Sequence, residues 1–324
     1  MKKRFFLIVC LSALIISMSF SCKGSGRDTS NEGDELNGNI SISGAFALYP
    51  LAVKWSEEFQ KMHPGVQIDL SAGGAGKGMT DVLADVVDLG MVSREVYDAE
   101  LKKGALPFAT AKDAVVITIN ADNPFVGEIM KKGISKEMAE KIWITDGSVT
   151  WGQVLGTADA TPVRVYTRSD ACGAAETFAL WMGRKQEDLA GTAVFGDPGL
   201  ASAVQADKLG IGFNNIGYAY DEKSRKPNPG LLVVPVDRDN DGMIGSDEYF
   251  YDTKDDFITA VSENKYPSPP ARDLYLVSHG VPQNPVVIAF LEYVLSDGQS
   301  HNIPTGYIGI DEEKLQHGRD LLKR

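Results

Sequence analysis

Short apolar runs of strand type alternate with amphipathic helical stretches along almost the whole chain. Residues 39–43 and 66–70 have the composition of strands, and residues 50–59 between them repeat apolar side chains at helical spacing behind a first-turn proline. Residues 79–86 and 88–92 continue the alternation as a helix and a strand. Because strands and helices that alternate in this way build sheets with parallel strands, the sequence predicts an α/β fold.

The middle of the chain indicates a second lobe. Residues 114–120 form a continuous apolar strand that ends shortly before Pro124, which makes this strand a candidate for the crossing between two lobes. Helices and strands of a separate region follow, and the tail from Tyr275 returns to a strand and an apolar helix. A chain of this length can bury two cores. We therefore predict a first lobe from residues 39–119 and 255–324, and a second lobe from residues 120–254.

The N-terminus has the features of an exported protein. A basic start precedes an apolar run, residues 5–18, that is shorter than the roughly 20 residues of a membrane-spanning helix. This pattern predicts a signal peptide over residues 1–21. The segment Ser19-Phe20-Ser21-Cys22 resembles the lipobox of bacterial lipoproteins, which predicts a lipid anchor on Cys22, a flexible tether over residues 22–38, and a periplasmic or other extracytoplasmic location. The alternative is plain secretion, with this cysteine as an ordinary thiol.

Cysteine content and net charge limit the class of protein. Once Cys10 leaves with the signal peptide and Cys22 carries lipid, Cys172 is the one cysteine left, so neither a disulfide framework nor a cysteine metal site can form within the chain. The formal net charge is −12, and the loss of three basic residues with the signal peptide makes it −15. Such an acidic surface argues against nucleic acid as a partner, and we expect a monomer.

Three junctions between a predicted strand and a predicted helix are small and rich in glycine. They lie at residues 43–50, 71–78 and 168–175. The first amide groups of a helix have no partner within the helix and carry partial positive charge, so they attract anions, and small residues let a ligand reach the backbone. One such loop alone would be a tight turn that binds nothing. Three in one chain, with Arg168 beside one of them, predict an anion site.

Motifs for nucleotide binding and catalysis do not fit. The loop at 71–78 is not the phosphate-binding loop of nucleotide enzymes, because Gly78 follows Lys77 where serine or threonine is needed. Met79 takes the place of the third glycine of a dinucleotide-binding motif. The four histidines share no metal-ligand spacing, and the nucleophile motif Gly-x-Ser-x-Gly does not occur. We therefore predict that the protein is not an enzyme.

Taken in order, five segments resemble the phosphate-binding proteins of ABC importers, which belong to the type II periplasmic binding-protein superfamily. The resemblance runs from about residue 39 to residue 321, and its segments are 44–50 with Lys54-Trp55, 72–78, 88–95, 168–178 and 210–214. It implies two lobes, each a mostly parallel sheet flanked by helices, that close on a dehydrated oxyanion in the cleft. It also implies delivery of that oxyanion to an ABC permease.

The resemblance assigns contacts to particular residues. Arg168 matches the arginine that pairs with the anion, and Asp170 matches the acid that restrains this arginine. The matching backbone contacts are those of Ala47, Leu48, Gly73, Gly74, Cys172, Gly173 and Ala174. Ser93 stands where some phosphate binders carry an aspartate that accepts the phosphate proton. Since an ionised carboxylate repels an anion with no proton to donate, its absence leaves tungstate, molybdate and sulfate open beside phosphate.

Three further side chains in these loops have two interpretations each. Arg94 and Lys77 either add positive charge to the site or are solvated or lobe-bridging cations. Cys172, at the start of a predicted helix, is either a reactive thiol or a small buried residue.

Residues 237–248 fit the twelve-residue calcium loop of an EF-hand throughout. Aspartates stand at its first, third and fifth positions, Gly242 at the sixth and Glu248 at the twelfth. Alternate side chains and one backbone carbonyl of such loops converge on a single ion, which predicts a structural calcium ion held by Asp237, Asp239, Asp241, Met243 and Glu248. The preceding segment is strand-like, so the loop is present without the helix pair. The alternative is an acidic, solvated turn.

These features favour a lipid-anchored solute-binding protein that captures phosphate or a related oxyanion. A secreted, calcium-dependent hydrolase of phosphate esters is the alternative from another class, and the sequence supplies no nucleophile for it. A sensor or adhesion module without transport is a third hypothesis.

Overall fold

The computed structural model describes residues 36–145 and 148–323. The predicted signal peptide, Cys22 and the predicted tether up to residue 35 lie outside these residues. Among the described helices, none is both long enough and apolar enough to cross a membrane.

Strands and helices alternate through the described chain, as the sequence pattern predicts. The strands are β1 Gly38–Gly44, β2 Val66–Ala72, β3 Leu89–Val92, β4 Ala105–Asn120, β5 Arg164–Arg168, β6 Thr192–Val194, β7 Gly210–Asn215, β8 Leu231–Val234 and β9 Ala271–His279. The helices are α1 Tyr49–Met62, α2 Ala75–Leu83, α3 Asp98–Leu101, α4 Val126–Lys132, α5 Lys136–Trp143, α6 Trp151–Leu155, α7 Gly173–Trp181, α8 Gly196–Ala206, α9 Ile216–Ala219, α10 Lys254–Ser262, α11 Pro285–Val294, α12 Asn302–Thr305 and α13 Glu312–Leu321. Short 3₁₀ helices lie at Gln186–Asp188 and Asp297–His301.

The strands form one sheet in the order β2-β1-β3-β9-β4-β7-β5-β6, with β8 paired to β4. The outer pairs are parallel: β1 pairs with β2 and β3 at one end, and β5 pairs with β6 and β7 at the other. The inner strands β4 and β9 run antiparallel to their neighbours. Helices connect the parallel strands and flank the sheet, which confirms the predicted α/β class.

Strand β4 contributes to two separate hydrophobic cores. Its first half pairs with β9 and packs with β1, β2, β3 and α11, whereas its second half pairs with β7 and β8 and packs with α5 and α7. The predicted crossing strand, residues 114–120, is this second half. The first half is not predicted as a strand, because Pro107, Thr110 and Lys112 interrupt its apolar pattern. The residue bounds of the two lobes stay a prediction.

Helix α2 differs from the helix predicted over residues 79–86. It spans Ala75–Leu83, so the end of the glycine-rich loop forms its first turn. Glycine in this turn permits close packing, since a Cβ at Gly78 would overlap backbone atoms of β1 and β3. The helix ends shortly before Asp85, whose φ of 54° is left-handed and does not continue a right-handed helix.

Candidate functional site

The three glycine-rich loops contact one another at the carboxyl ends of β1, β2 and β5. The amide N–H groups of Gly73 and Gly74 both donate to the carbonyl oxygen of Gly44, at 2.9 and 3.0 Å, and so join the first two loops. The N–H of Gly76 donates to the carbonyl oxygen of Ala171 at 3.1 Å and joins the second loop to the third. These loops lead into α1, α2 and α7, so the structure brings three helix N-termini near one another.

Arg168, the last residue of β5, lies beside these loops with a fully buried side chain. Its Nε and Nη2 donate to the two carboxylate oxygens of Asp170 at 2.9 and 2.6 Å. Its Nη1 donates to Oδ2 of Asp197 at 2.6 Å. Two carboxylates therefore hold the guanidinium in one orientation, and they leave about two of its five N–H groups for a ligand.

Asp197 is a site residue that the sequence pattern does not indicate. It lies in the first turn of α8, and its Oδ1 accepts a hydrogen bond from Nδ2 of Asn215 at 2.7 Å. It is 29 positions from Arg168 along the chain, and no motif links the two residues. With Asp170 it places two carboxylates against the one guanidinium. Backbone N–H groups must therefore supply much of the attraction for a bound anion.

A series of buried polar groups extends from Asp197 to strands β4 and β9. The side-chain oxygen of Asn215 accepts a hydrogen bond from Nη2 of Arg272, whose Nε donates to the carbonyl oxygen of Ser93 at 3.2 Å. Nη1 of Arg272 lies 3.5 Å from Oδ2 of Asp113, its paired neighbour on β4. Ser93, a predicted ligand residue, is thus linked by hydrogen bonds to the partners of the arginine on β5.

The predicted backbone contacts divide into two groups. Four of the amide N–H groups already donate to oxygens of the protein, namely those of Leu48, Gly73, Gly74 and Cys172. Three others donate to no acceptor within the part of the chain that the structure describes, namely those of Ala47, Gly173 and Ala174. These three amides are the ones open to a ligand.

The first turn of α7 is tightly packed. A Cβ at Gly173 would overlap the carbonyl oxygen and Oγ of Ser93, so this position has room for glycine alone. Sγ of Cys172, the residue before the helix, accepts a hydrogen bond from the N–H of Ala175 at 3.4 Å, and burial raises the pKa of its thiol to about 12. A thiol that stays protonated at neutral pH favours the interpretation of Cys172 as a small buried residue.

Lys77 and Arg94, the two cations with two interpretations each, both pair with a nearby carboxylate. Lys77 pairs with Asp81, one turn further along α2. Arg94 pairs with Glu100 at 2.7 Å, and its guanidinium lies 4.1 Å from the centre of the Tyr97 ring. Both cations are therefore engaged by carboxylates of their own predicted lobe. Lys77, whose side chain is 46% exposed, fits the interpretation as a solvated cation, whereas Arg94 is mostly buried and, within the described chain, bridges no lobes.

Aromatic side chains cover Arg168. The ring of Phe46 lies 5.7 Å from its guanidinium carbon, and Phe195 packs edge-on against Phe46 with the ring centroids 6.0 Å apart. The hydroxyl of Tyr218 donates to the carbonyl oxygen of Phe46 at 3.1 Å and holds this loop in place. These rings shield the guanidinium of Arg168 from water. An anion bound to the guanidinium would therefore lie in the same low-dielectric surroundings.

The predicted calcium loop brings three carboxylates together. One oxygen each of Asp237, Asp239 and Glu248 lie within 4.8 Å of one another. Asp237 and Glu248 are buried, and Oδ1 of Asp237 accepts no hydrogen bond from any described residue. Burial also raises the pKa of Asp237 above its ordinary value. A buried carboxylate oxygen without a partner is costly unless it binds an ion, so these residues fit the oxygen ligands that calcium requires.

The other two predicted calcium ligands lie on the exposed side of the loop. Oδ1 of Asp241 accepts a hydrogen bond from the N–H of Met243 at 2.8 Å, so this oxygen is engaged by the loop backbone. Gly242 between them has a φ of 82°, the conformation that the sixth position of such a loop favours in glycine.

Proteins of known families resemble this chain in sequence. The chain matches the family model described as a PBP superfamily domain over residues 29–298. The phosphate-binding protein PstS of Pseudomonas aeruginosa is 31% identical over 199 residues, a match that covers 56% of this chain and 60% of that protein. The PstS of Methanocaldococcus jannaschii is 25% identical, with 99% of this chain and 95% of that protein covered. These relatives confirm the resemblance to phosphate-binding proteins that the loop motifs indicate.

Solved structures share the fold. A substrate-binding protein from Clostridium perfringens, solved with bound phosphate, superposes with a TM-score of 0.68 at 21% identity and covers 85% of this chain and 100% of its own. An ABC-type phosphate transport receptor from Vibrio cholerae has a TM-score of 0.62 at 19% identity, with 84% and 100% covered. At such identities the likeness shows a shared fold, which is the binding-protein fold expected from the sequence.

Proposed function

Because the chain belongs to the PBP superfamily, we propose that it is a solute-binding protein that captures phosphate and delivers it to the permease of an ABC importer. The observation that carries the proposal is the buried guanidinium of Arg168, held by two carboxylates, with the unengaged amides of Gly173 and Ala174 in the loop that follows. The names of the phosphate-binding relatives support phosphate as the oxyanion and favour binding over the hydrolase and sensor alternatives.

An oxyanion that enters this site exchanges water for N–H donors that are already oriented. Arg168 is fixed by its carboxylates and the first amides of α7 by the helix, so the protein loses little freedom when the anion binds. Burial strengthens each hydrogen bond to the anion. The acidic surface does not prevent capture, because exposed charges are screened over about 10 Å whereas the donors are in contact with the anion.

Closure of the two predicted lobes would sequester the anion. The hydrogen bonds between the first predicted lobe and the second include those from Gly76 N–H to Ala171, from the Tyr97 hydroxyl to Glu176 at 2.7 Å, and from the Tyr218 hydroxyl to Phe46. Release of the anion to a permease requires these hydrogen bonds to break. Ligand exchange is therefore coupled to separation of the lobes.

Isothermal titration calorimetry with phosphate, sulfate, tungstate and molybdate tests the proposal. We expect wild-type protein to bind phosphate and Gly173→Ala to weaken this binding about tenfold or more, because the added Cβ overlaps Ser93 and displaces the first turn of α7. Gly127→Ala is the matched control, since a Cβ there meets no described atom within 4 Å. The proposal is refuted if none of the four anions binds, and tightest binding of another anion would replace phosphate as the ligand.

We also propose that the protein lies outside the cytoplasmic membrane, held there by a lipid on Cys22 after residues 1–21 are removed. The basic and apolar start and the polar segment behind it support this part of the proposal. Cys22→Ser should shift the protein from the membrane fraction to the soluble extracytoplasmic fraction, as measured by fractionation and immunoblotting. Cys172→Ser should stay with the membrane. A Cys22→Ser protein that also stays there would contradict lipid anchoring.

A calcium ion in the loop 237–248 is proposed as a structural part of the same protein. Asp237, Asp239 and Glu248 would hold it, and the loop is joined to helix α4 by the N–H of Ile244, which donates to the carbonyl oxygen of Lys131 at 2.9 Å. The ion would neutralise carboxylates that otherwise repel one another. Its contribution is to stability rather than to anion binding.

A further inference from the structure

Lys254, the first residue of α10, is a buried cation without a paired carboxylate. The residue is 2% exposed, and its side-chain nitrogen donates to no described acceptor. The charges of Asp113, Glu222 and Asp255 act on it, but none of these residues forms an ion pair with it. Proteins almost never bury a lysine completely unless a partner compensates its charge. Lys254 therefore lacks the partner that its position requires.

A second cationic donor lies beside Lys254. Nη1 of Arg225 is buried and donates to no described acceptor, whereas its Nε and Nη2 both donate to Oδ1 of Asp255. Nη1 of Arg225 and Nζ of Lys254 approach the same face of Gly306, where a Cβ would lie 2.9 Å from Nη1 and closer still to Nζ. Two unengaged N–H donors thus converge on one place.

The charge of this cluster has an excess of one positive unit. Asp255 pairs with Arg225 and cancels its charge, which leaves the charge of Lys254. Burial and the charge of Arg225 lower the pKa of Lys254 to about 8, so the protonated amine is costly in these surroundings. A single negative charge in contact with both donors would remove that cost.

We propose that Lys254 and Arg225 bind one small monovalent inorganic anion, with chloride as the probe, beside Gly306. The anion would accept hydrogen bonds from Nζ of the lysine and Nη1 of the arginine. A dianion would leave a buried negative charge in place of the positive one, so a monovalent ion is preferred. Neither cation contacts the carboxylates that hold Arg168, and the inference does not depend on the proposed function.

Thermal unfolding in matched salts tests the proposal on the unsubstituted protein. At pH 7 and in chelator, about 200 mM sodium chloride should raise the melting temperature by about 4–7 °C over the same concentration of sodium gluconate, whose anion is too bulky for the site. This shift corresponds to a dissociation constant of about 10 mM. Equal ionic strength removes any difference in screening. Equal melting temperatures in the two salts would overturn the proposal.

Lys254→Met identifies the residue responsible for the shift. The variant should melt at the same temperature in both salts, and in gluconate it should be at least as stable as wild type, because it buries no uncompensated charge. Lys265→Met, just beyond the end of α10 with a 50% exposed side chain paired with Glu263, is the matched control and should keep the full shift. If Lys254 only caps the end of α12, the variant loses stability equally in both salts, which would overturn the proposal.

The protonation of Lys254 provides a second arm. Chloride needs the charged amine, so its affinity should fall about tenfold for each pH unit above a pKa near 8. The other charged groups that act on this lysine are Arg225, Asp113, Glu222 and Asp255. Burial raises the pKa of Asp113 to about 6, and the hydrogen bond from Arg225 lowers the pKa of Asp255, so both stay ionised above pH 7. The chloride shift should fall below about a third of its value between pH 7 and pH 9.5, and a constant shift would contradict the proposal.

Crystals grown in sodium bromide locate the ion, because bromide scatters anomalously. We expect an anomalous peak in contact with Nζ of Lys254 and Nη1 of Arg225 in wild type, and its loss in Lys254→Met. No peak there would overturn the proposal. A peak without a chloride-dependent melting temperature would be an adventitious ion only and would overturn it as well. If Lys254→Met does not fold, the salt comparison and the pH series on wild-type protein decide. Each outcome leaves phosphate capture untouched.

Discussion

Replacement of Arg168 by methionine is expected to abolish phosphate binding and to lower the free energy of unfolding by about 3–5 kcal/mol. The substitution leaves the carboxylates of Asp170 and Asp197 close together without a counter-charge, and their side chains are 7% and 2% exposed. Uncompensated buried charge of this kind is among the costliest single changes in a protein. Urea denaturation followed by circular dichroism measures the stability, and calorimetry measures the binding.

Arg164→Met is the matched control on the same strand. Arg164 also pairs with an aspartate, Asp207 at 3.3 Å, but its side chain is 62% exposed, so its loss should cost less than about 1 kcal/mol and leave binding unchanged. Adding Asp170→Asn and Asp197→Asn to Arg168→Met should regain part of the stability without regaining phosphate binding. An Arg168→Met protein that still binds phosphate would contradict the assignment of this arginine to the anion site.

Millimolar calcium is expected to raise the melting temperature by about 4–8 °C, and chelation should reverse the shift. An extracellular site with a dissociation constant of about 10⁻⁴ M gains about 2 kcal/mol from 2 mM calcium, and a chain of this size shifts by about 2–4 °C for each kcal/mol. The physical source is the neutralisation of Asp237, Asp239 and Glu248, whose oxygens lie within 4.8 Å of one another. Thermal unfolding in calcium and in chelator measures the shift.

Asp237→Asn should reverse the order of stabilities. In chelator the variant should be at least as stable as wild type, because burial already raises the pKa of Asp237 and so makes its charge costly without an ion. In calcium the variant should be the less stable protein. Asp247→Asn, in the same loop with a 77% exposed side chain paired with Arg238, should keep the full calcium shift. An Asp237→Asn protein that keeps that shift would argue for the acidic, solvated turn.

Features that depend on residues close together in the chain could be predicted. The alternation of strands and helices is a local pattern, and β1, β2 and β3 lie within two residues of the predicted strands. The pairing of Arg168 with Asp170, which the resemblance to phosphate-binding proteins implies, joins residues two positions apart, and the predicted calcium loop is twelve consecutive residues. Each of these features lies within one short stretch of sequence.

Features that depend on packing could not be predicted in the same way. The start of α2 lies in the glycine-rich loop because Gly78 packs against two strands, which only the assembled sheet brings near it. Arg272 and Asp197 have no local signal, since their partners come from other strands. Asp113 did have a local signal, because an acid inside the apolar strand β4 is rarely buried unless it is paired, as this one is with Arg272.

The alternation of strands and helices thus specifies an α/β sheet, and three small loops beside an arginine predict an anion site, because propensity and helix N-termini act over a few residues. The tertiary structure decides which amides remain open and which charges lose their water. Burial removes Arg168 and Asp197 from water and pairs them with each other, since a charge acquires a strong demand for a partner only when other parts of the chain exclude solvent from it.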